Sequence, residues 1–416
     1  MHDKREFSWY VIFLWIGLFS VGLVAIYSAT QGPVSQFLPA HIQGNFTRQV
    51  IWIAISIVVL ISFQFVSPRA FQGLSYLFYA VCLILAVVTV FVGIEVGGGR
   101  RWLNIFGFRL QISEFLKLAT VLAVANYLTH RRNLSANNLK TALVTVLIIL
   151  VPAVVIIMQN DTGTALVLLV LIPVVLFWSG LPYDLSLFIV SPAIIGYFSI
   201  IDIKLGLIAA LFIAVAIFLL QKQVWLTTTS IVVGLVVVLG FEVGLQHILQ
   251  PHQRARIEAF VNPSLDPQGA GWNVLQAKTA IGSGGLQGKG FMEGTQTQLR
   301  FLPEQWTDFI FCVIGEEFGF IGSSIVLLLF ALLLLRLLKM AAHHKHPFAQ
   351  LVFIGVIFIY FAHFVVNVGS ATALLPIMGV PLPFVSYGGS AFLANTMMLA
   401  ICLNLYYNKR SFSIYR

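Results

Sequence analysis

The chain has 416 residues, 59% of them hydrophobic and only 9% charged, which excludes a soluble domain. Its apolar runs of roughly 16 to 27 residues are continuous rather than alternating, so a porin-type barrel is excluded and a polytopic helical membrane protein is left. The net charge of +9 is spread over many short loops, which fits the positive-inside bias and not a nucleic-acid partner.

Twelve spans are predicted, covering approximately 7–27, 50–66, 74–94, 112–128, 141–158, 164–179, 185–201, 205–220, 225–245, 309–335, 351–368 and 389–406. The first follows Lys4 and Arg5 and is too long for the core of a typical signal peptide, so it reads as an uncleaved span. The tenth is too long for one straight crossing. Gly319 and Gly322, behind two glutamates, predict a bent start or a short surface helix there. Cys82, Cys312 and Cys402 all fall in apolar runs without metal-ligand spacing and read as inert packing residues.

Charge orients the spans. With the N-terminus inside, the inner segments carry Lys4, Arg5, Arg69, Arg131, Arg132, Lys140, Lys222, Arg336, Lys339, Lys345, Lys409, Arg410 and Arg416. The short outer loops carry Arg48, Arg100, Arg101, Arg109 and Lys204. The long loop 247–307 then faces outside and both termini face the cytoplasm, a placement that one miscounted span upstream would reverse. No repeat or second domain is visible, so 1–416 reads as a single transmembrane domain. The long loop holds Arg254, Arg256, Lys278, Lys289 and Arg300 among many glycines, and loops of this size usually carry function.

Several motifs stand out, each with a plain alternative. Arg100 and Arg101, in GGGRRW, put positive charge where the bias disfavours it; they bind an anionic phosphate or snorkel beside Trp102. Glu114 and Lys117, three apart in QISEFLKL, share a helix face and form an ion pair that is structural or shapes a polar cavity. Asp161, in QNDTGTALV, is first of all an N-cap for the span that begins near Thr164. IGSGGLQGKG mimics a phosphate loop but has Ser283 where a glycine is required; its glycines turn around a headgroup or simply form a loop.

Asp308 lies where the long loop meets a membrane helix, beside Trp306. It is placed to act as a general base on a hydroxyl at the membrane surface, or to cap the helix at Phe309. Glu316 and Glu317 are adjacent and point to different helix faces, in support or as metal ligands. Finally, ALLPIMGVPLPFVSYGGS has three prolines and paired glycines between two spans. Such backbone must line a cavity or be packed in protein, and Ser386 and Tyr387 either donate to a bound headgroup or form a turn.

In this order, GGGRRW (97–102), QISEFLKL (111–118), QNDTGTALV (159–167), the stretch 262–290, FLPEQWTDFIFCVIGEEFG (301–319) and PLPFVSYGGS (381–390) resemble the SEDS family of bacterial shape, elongation, division and sporulation proteins. The resemblance covers nearly the whole chain. GVPLPFVSYGGS is more similar to the elongation members than to the division members, where a threonine-rich segment usually precedes it. The resemblance implies an all-α, multi-pass bacterial cell (inner) membrane protein. It implies a peptidoglycan glycosyltransferase that polymerises lipid II for rod shape, with release of undecaprenyl pyrophosphate and inversion.

By the same resemblance Asp308, in the TDF motif, is the general base for the 4-hydroxyl of an acceptor GlcNAc, and residues 247–307 are the catalytic loop. Arg101 and the loop basics, Lys278 and Lys289 among them, are candidates to hold the pyrophosphate, with magnesium or manganese as a candidate cation and no organic cofactor. Glu114, Lys117 and Asp161 shape the substrate cavity. A class B penicillin-binding protein and other elongation-complex membrane proteins are the implied partners. Two departures stand against the family pattern: Asn160 occupies a usual proline position, and twelve spans replace the usual ten, with the surplus in 181–246 as a two-helix insertion. Alternative readings are a lipid II flippase, a division-type polymerase and a non-catalytic scaffold.

Overall fold

The computed structural model describes residues 7–32, 39–96, 98–105, 107–129, 131, 139–222, 224–247, 251–266 and 269–413. Lys4, Arg5, Arg132 and Arg416 of the charge count, and Gly97 of GGGRRW, lie outside the described residues.

Hydrocarbon offers no partner to a backbone N–H or C=O, so each apolar run must satisfy its own hydrogen bonds as a helix. The chain opens with α1 (Trp9–Gln31), α2 (Ala40–Gln43), α3 (Asn45–Gln64), α4 (Pro68–Gly73) and α5 (Ser75–Val92). An antiparallel meander follows, made of β1 (Ile94–Val96), β2 (Gly99–Ile105) and β3 (Phe108–Gln111) in that spatial order. Then come α6 (Ile112–Thr129), α7 (Leu139–Met158), α8 (Thr162–Leu169), α9 (Leu171–Trp178), α10 (Tyr183–Ile201), α11 (Ile203–Gln221) and α12 (Val224–His247). The long loop contains α13 (Pro251–Val261), α14 (Ala270–Ser283) and α15 (Thr295–Gln298). The chain returns to long helices with α16 (Ile310–His343), α17 (Pro347–Ala371) and α18 (Gly389–Tyr407), and α19 (Lys409–Ser413) follows.

Among the described residues 11 helices are long and apolar enough to cross a membrane: α1, α3, α5, α6, α7, α10, α11, α12, α16, α17 and α18. The sixth expected span is different, because it is split into α8 and α9, of 8 residues each. Pro173 explains the break. It has no N–H for the carbonyl of Leu169, and its ring crowds that carbonyl. The pair Thr162–Trp178 reaches about 25 Å, short of a hydrocarbon core of about 30 Å.

The mostly buried helices α6, α17 and α18 form the centre, with α18 against α3, α17 and α5 against α6, and α1 against α16. Helices α10, α11 and α12 pack on one another around a smaller core of their own, which includes Ile195, Ala210, Ile213 and Val238.

The bent start expected for the tenth span is a break in α16 at Gly319, with φ 63° and ψ −156°. The glycine-rich loop, far from being open to a headgroup, replaces the helical bonds lost there. Lys289 and Gly290 donate their N–H groups to the carbonyls of Glu316 and Glu317, while Phe320 and Ile321 donate to Gly285 and Leu286. So close an approach requires glycine on both sides: a Cβ on Gly319 would lie 2.3 Å from the Gly288 nitrogen, and one on Gly288 2.1 Å from the Glu317 carbonyl.

Candidate active site

Asp308 ends a turn whose backbone is fixed residue by residue. The N–H groups of Thr307 and Asp308 both donate to the Glu304 carbonyl at 3.1 Å. The carbonyls of Trp306, Thr307 and Asp308 are pinned from outside the turn. Trp306 accepts from the Tyr387 N–H (2.9 Å), Thr307 from the Ser386 hydroxyl (2.6 Å) and Asp308 from the Asn367 amide (3.0 Å). The proline-rich segment between α17 and α18 thus docks directly on the TDF motif, and Gly379 lies against the carboxylate. A Cβ there would stand 3.4 Å from Asp308 Oδ2.

The Asp308 carboxylate itself is half-buried. The N-cap of α16 is Phe309, with no side-chain capping bond, so Asp308 does not cap the helix. Burial raises its pKa from 3.8 to about 6, and the charge of Glu304 pushes the same way; Arg256, a bond to Thr307, and Arg101 hold it from going higher.

Arg256, on α13, is half-buried and reaches the Ile377 carbonyl at 3.5 Å. Burial lowers its pKa, opposed by the charges of Asp308 and Asp161 and assisted by that of Arg101. These shifts place four charges, Arg101, Asp161, Arg256 and Asp308, within one electrostatic neighbourhood. Arg101 arrives from β2. Strand alternation turns Arg100 outward to pair with Glu95 at 3.7 Å and turns Arg101 inward, where its guanidinium donates to the Asn160 carbonyl. Its Nε is buried with no partner among the described residues. Asp161 is the N-cap of α8, accepting from the Thr164 N–H (3.2 Å), the Thr164 hydroxyl (3.0 Å) and Gln111 (2.9 Å). Asn160, in place of the usual proline, takes φ 60° and donates its side-chain amide to the Gly98 carbonyl. On the other side of the pinned turn Tyr387 is hydrogen-bonded by Arg48 and lies in the field of Arg109, although burial raises its pKa.

The remaining sequence candidates have other surroundings. Lys278 is exposed on α14. Lys289 is bound to Glu316 at 2.8 Å and to Thr295 at 2.7 Å, and Glu316 also accepts the backbone N–H groups of Gln296 and Thr297. Glu317 accepts from Ser28 and Gln298. The Ser386 hydroxyl, expected to face a headgroup or form a turn, donates to Thr307 and accepts from the Leu382 N–H, so it is engaged within the chain. Glu114 and Lys117 are buried in the bundle, 2.9 Å apart, with His363 Nε2 2.6 Å from the ammonium. Sequence reasoning named Arg256 only as one of five loop basics and passed over Asn367 and His363. Polar residues four apart inside the apolar run 351–368 were a usable signal. No group of three or more His, Cys, Asp or Glu is arranged to hold a metal among the described residues.

Comparison with known proteins accords with this geometry. The family model for cell cycle proteins of the FtsW, RodA and SpoVE type matches residues 8–206 and 200–411. The peptidoglycan glycosyltransferase RodA of Treponema pallidum is 32% identical, over 97% of this chain and 98% of its own. The peptidoglycan glycosyltransferase MrdB of Escherichia coli is 33% identical, over 89% of this chain and 88% of its own. A chain of a peptidoglycan synthase complex that coordinates polymerization and crosslinking superposes with a TM-score of 0.71 at 26% identity, covering 97% of this chain and 98% of that one. The rod shape determining protein RodA of Thermus thermophilus shares the fold, with a TM-score of 0.62 at 24% identity over 97% of this chain and 98% of its own. The chain belongs to the SEDS family of FtsW, RodA and SpoVE cell cycle proteins, among its peptidoglycan glycosyltransferases.

Proposed function

We propose that the chain polymerises lipid II with Asp308 as the general base. The 4-hydroxyl of the acceptor GlcNAc gives its proton to the Asp308 carboxylate as its oxygen attacks the anomeric carbon of the donor MurNAc. The anomeric C–O bond breaks with inversion, and its electron pair leaves with undecaprenyl pyrophosphate. A base must be near its substrate and must have a pKa close to the working pH. What supports Asp308 is that it is the carboxylate of this neighbourhood whose main chain is pinned and whose side chain caps nothing, raised to about 6.

Arg256 and Arg101 stand where a diphosphate would bring negative charge, and fixed cations there stabilise its departure. Asp161, Glu114 and Lys117 shape the cavity wall, and Lys278 and Lys289 act at longer range on the loop. Magnesium or manganese would take most of its ligands from the diphosphate, since among the described residues no three carboxylates, cysteines or histidines are grouped to hold it and Asp161 is engaged as a cap.

The chain works in the cell membrane of a bacterium, with both termini cytoplasmic and residues 247–307 outside; the short pair α8–α9 is counted as a crossing, because Arg256, after α12, returns to the field of Arg101 and Asp161 on the side of the meander. Its partner is a crosslinking enzyme of the class B penicillin-binding type, within a larger elongation complex. The separate core of α10–α12 supports reading 181–246 as carrying two helices beyond the usual set, as does a family match in two stretches that meet at residues 200–206.

The deciding experiment is polymerisation of labelled lipid II by purified wild type and Asp308→Asn, each with and without the partner. Glycan chains from wild type alone support the assignment; chains from Asp308→Asn at the wild-type rate end it. Orientation is tested by labelling Lys278→Cys from outside, against a background of three buried cysteines. Protection from an impermeant reagent in intact cells would overturn it.

A further inference from the structure

The segment between α17 and α18 is irregular backbone beside three buried helices, and Pro376, Pro381 and Pro383 leave it short of N–H donors. Its carbonyls must therefore find donors elsewhere. They find them on one face of α17. His363, Asn367 and Ser370 are spaced i, i+4 and i+7, all buried, and each reaches a carbonyl of the segment. His363 Nδ1 lies 2.9 Å from the Pro381 carbonyl, Asn367 donates to Val380 at 2.9 Å, and Ser370 donates to Pro376 at 2.9 Å. Asn367 also donates to the Asp308 carbonyl, so one amide ties the segment and the base to the same helix.

The upper rung extends into the bundle. A carbonyl only accepts, so His363 carries its proton on Nδ1, and Nε2 is left to accept from the Lys117 ammonium at 2.6 Å. Lys117 in turn pairs with Glu114. The imidazole is thus neutral with both nitrogens engaged, in one orientation and one tautomer.

We infer that His363 is a positioning residue: with Asn367 and Ser370 it sets the height of the 373–388 segment beside Asp308, and it anchors that segment to the buried Glu114–Lys117 pair. This rests on the reading of Asp308 as the base. Loss of the rung lets the segment lift, Gly379 moves off the carboxylate, and water reaches it. The charged groups facing Asp308 are Glu304 on its own turn, Arg256 on α13 and Arg101 on β2; α17 and the segment face it with uncharged Asn367 and Gly379. Around His363 they are Lys117 and Glu114 on α6.

The test compares His363→Leu, which can neither donate nor accept, with His363→Gln, which can do both. Amide hydrogen exchange across residues 373–387 and the acid limb of the polymerisation rate are read on each. His363→Leu is expected to speed exchange about tenfold and to move the acid limb below about 6 toward the ordinary carboxylate range, with His363→Gln restoring both. A plain loss of folded protein lowers the rate without moving the limb. Should His363→Leu fail to fold, Ser370→Ala loosens only the lower rung and is expected to speed exchange at residues 374–375. Wild-type exchange and an unmoved limb in the folded variants overturn the inference. If Asp308→Asn proves active, the limb loses its assignment, and the exchange measurement alone decides the ladder.

Discussion

Asp161 and Asp308 invite comparison because they look alike in the chain. Each adjoins a threonine, each sits just before a helix, and each is felt by Arg256. Their carboxylates nevertheless do different things, and one residue of offset decides which. Asp161 is the N-cap of α8, where a short side chain reaches the free N–H two or three residues on, and it does so at Thr164. Asp308 stands one residue before the cap of α16, too far back to reach those donors, so its carboxylate makes no capping bond. Its fixity comes through the main chain, from Tyr387, Ser386 and Asn367. Asp161 is held by its own side chain; Asp308 is held by its backbone, which leaves its side chain available for the proton transfer proposed above.

The largest expected effect separates the two directly. Asp308→Asn should lower polymerisation at least about 10²-fold, while Asp161→Asn, which keeps a capping oxygen, should stay within about tenfold of wild type. Equal losses in a lipid II assay would break the comparison. Next, Ser386→Ala releases the Thr307 carbonyl and should cut kcat about tenfold or more with little change in KM, as expected for a misplaced base. Steady-state kinetics in detergent or nanodiscs would check this.

The pH profile sharpens the comparison further. Since the folded pKa of Asp308 is raised from 3.8 to about 6, the active carboxylate is present above that value, and the rate should fall as pH drops through about 6. The same raised value means that the ionised group costs stability as pH rises from about 4 to above 6, so Asp308→Asn should melt higher than wild type only at neutral pH. Arg256→Gln removes an attraction and should move the limb upward, weakening substrate binding as well; Glu304→Gln removes a repulsion and should move it downward. Limbs that move in the same direction would refute the electrostatic account. The smallest effect is expected from Asp161→Ala, a lost cap worth about 0.5–2 kcal/mol, read as a lowered melting temperature.

How much of this was legible beforehand varies with the kind of interaction. The bent start of α16 was foreseen from Gly319, because a glycine behind two glutamates in an overlong run is a local pattern. The meander that turns Arg101 inward was read as a plain loop, since its pairing joins strands around turns too short to give a hydrophobic alternation. Ser283 is enough to exclude the glycine-rich run as a phosphate loop, but its actual role is not legible, because its partners, Glu316 and Glu317, lie almost thirty residues away. Arg256 was indistinguishable from the other loop basics, since nothing in its neighbours along the chain announces Asp308.

Hydrophobic length by itself determined that this chain is a bundle of membrane helices. Every backbone bond of a helix closes within four residues, so composition over a short window suffices. Motif order was enough to name the family and to single out Asp308. Only the tertiary structure decided which carboxylate is capped and which is open, where Lys117 and His363 meet, and what pins the TDF turn. Those contacts join residues up to 246 apart, and burial, which raises the pKa of Asp308, exists only once the helices have packed.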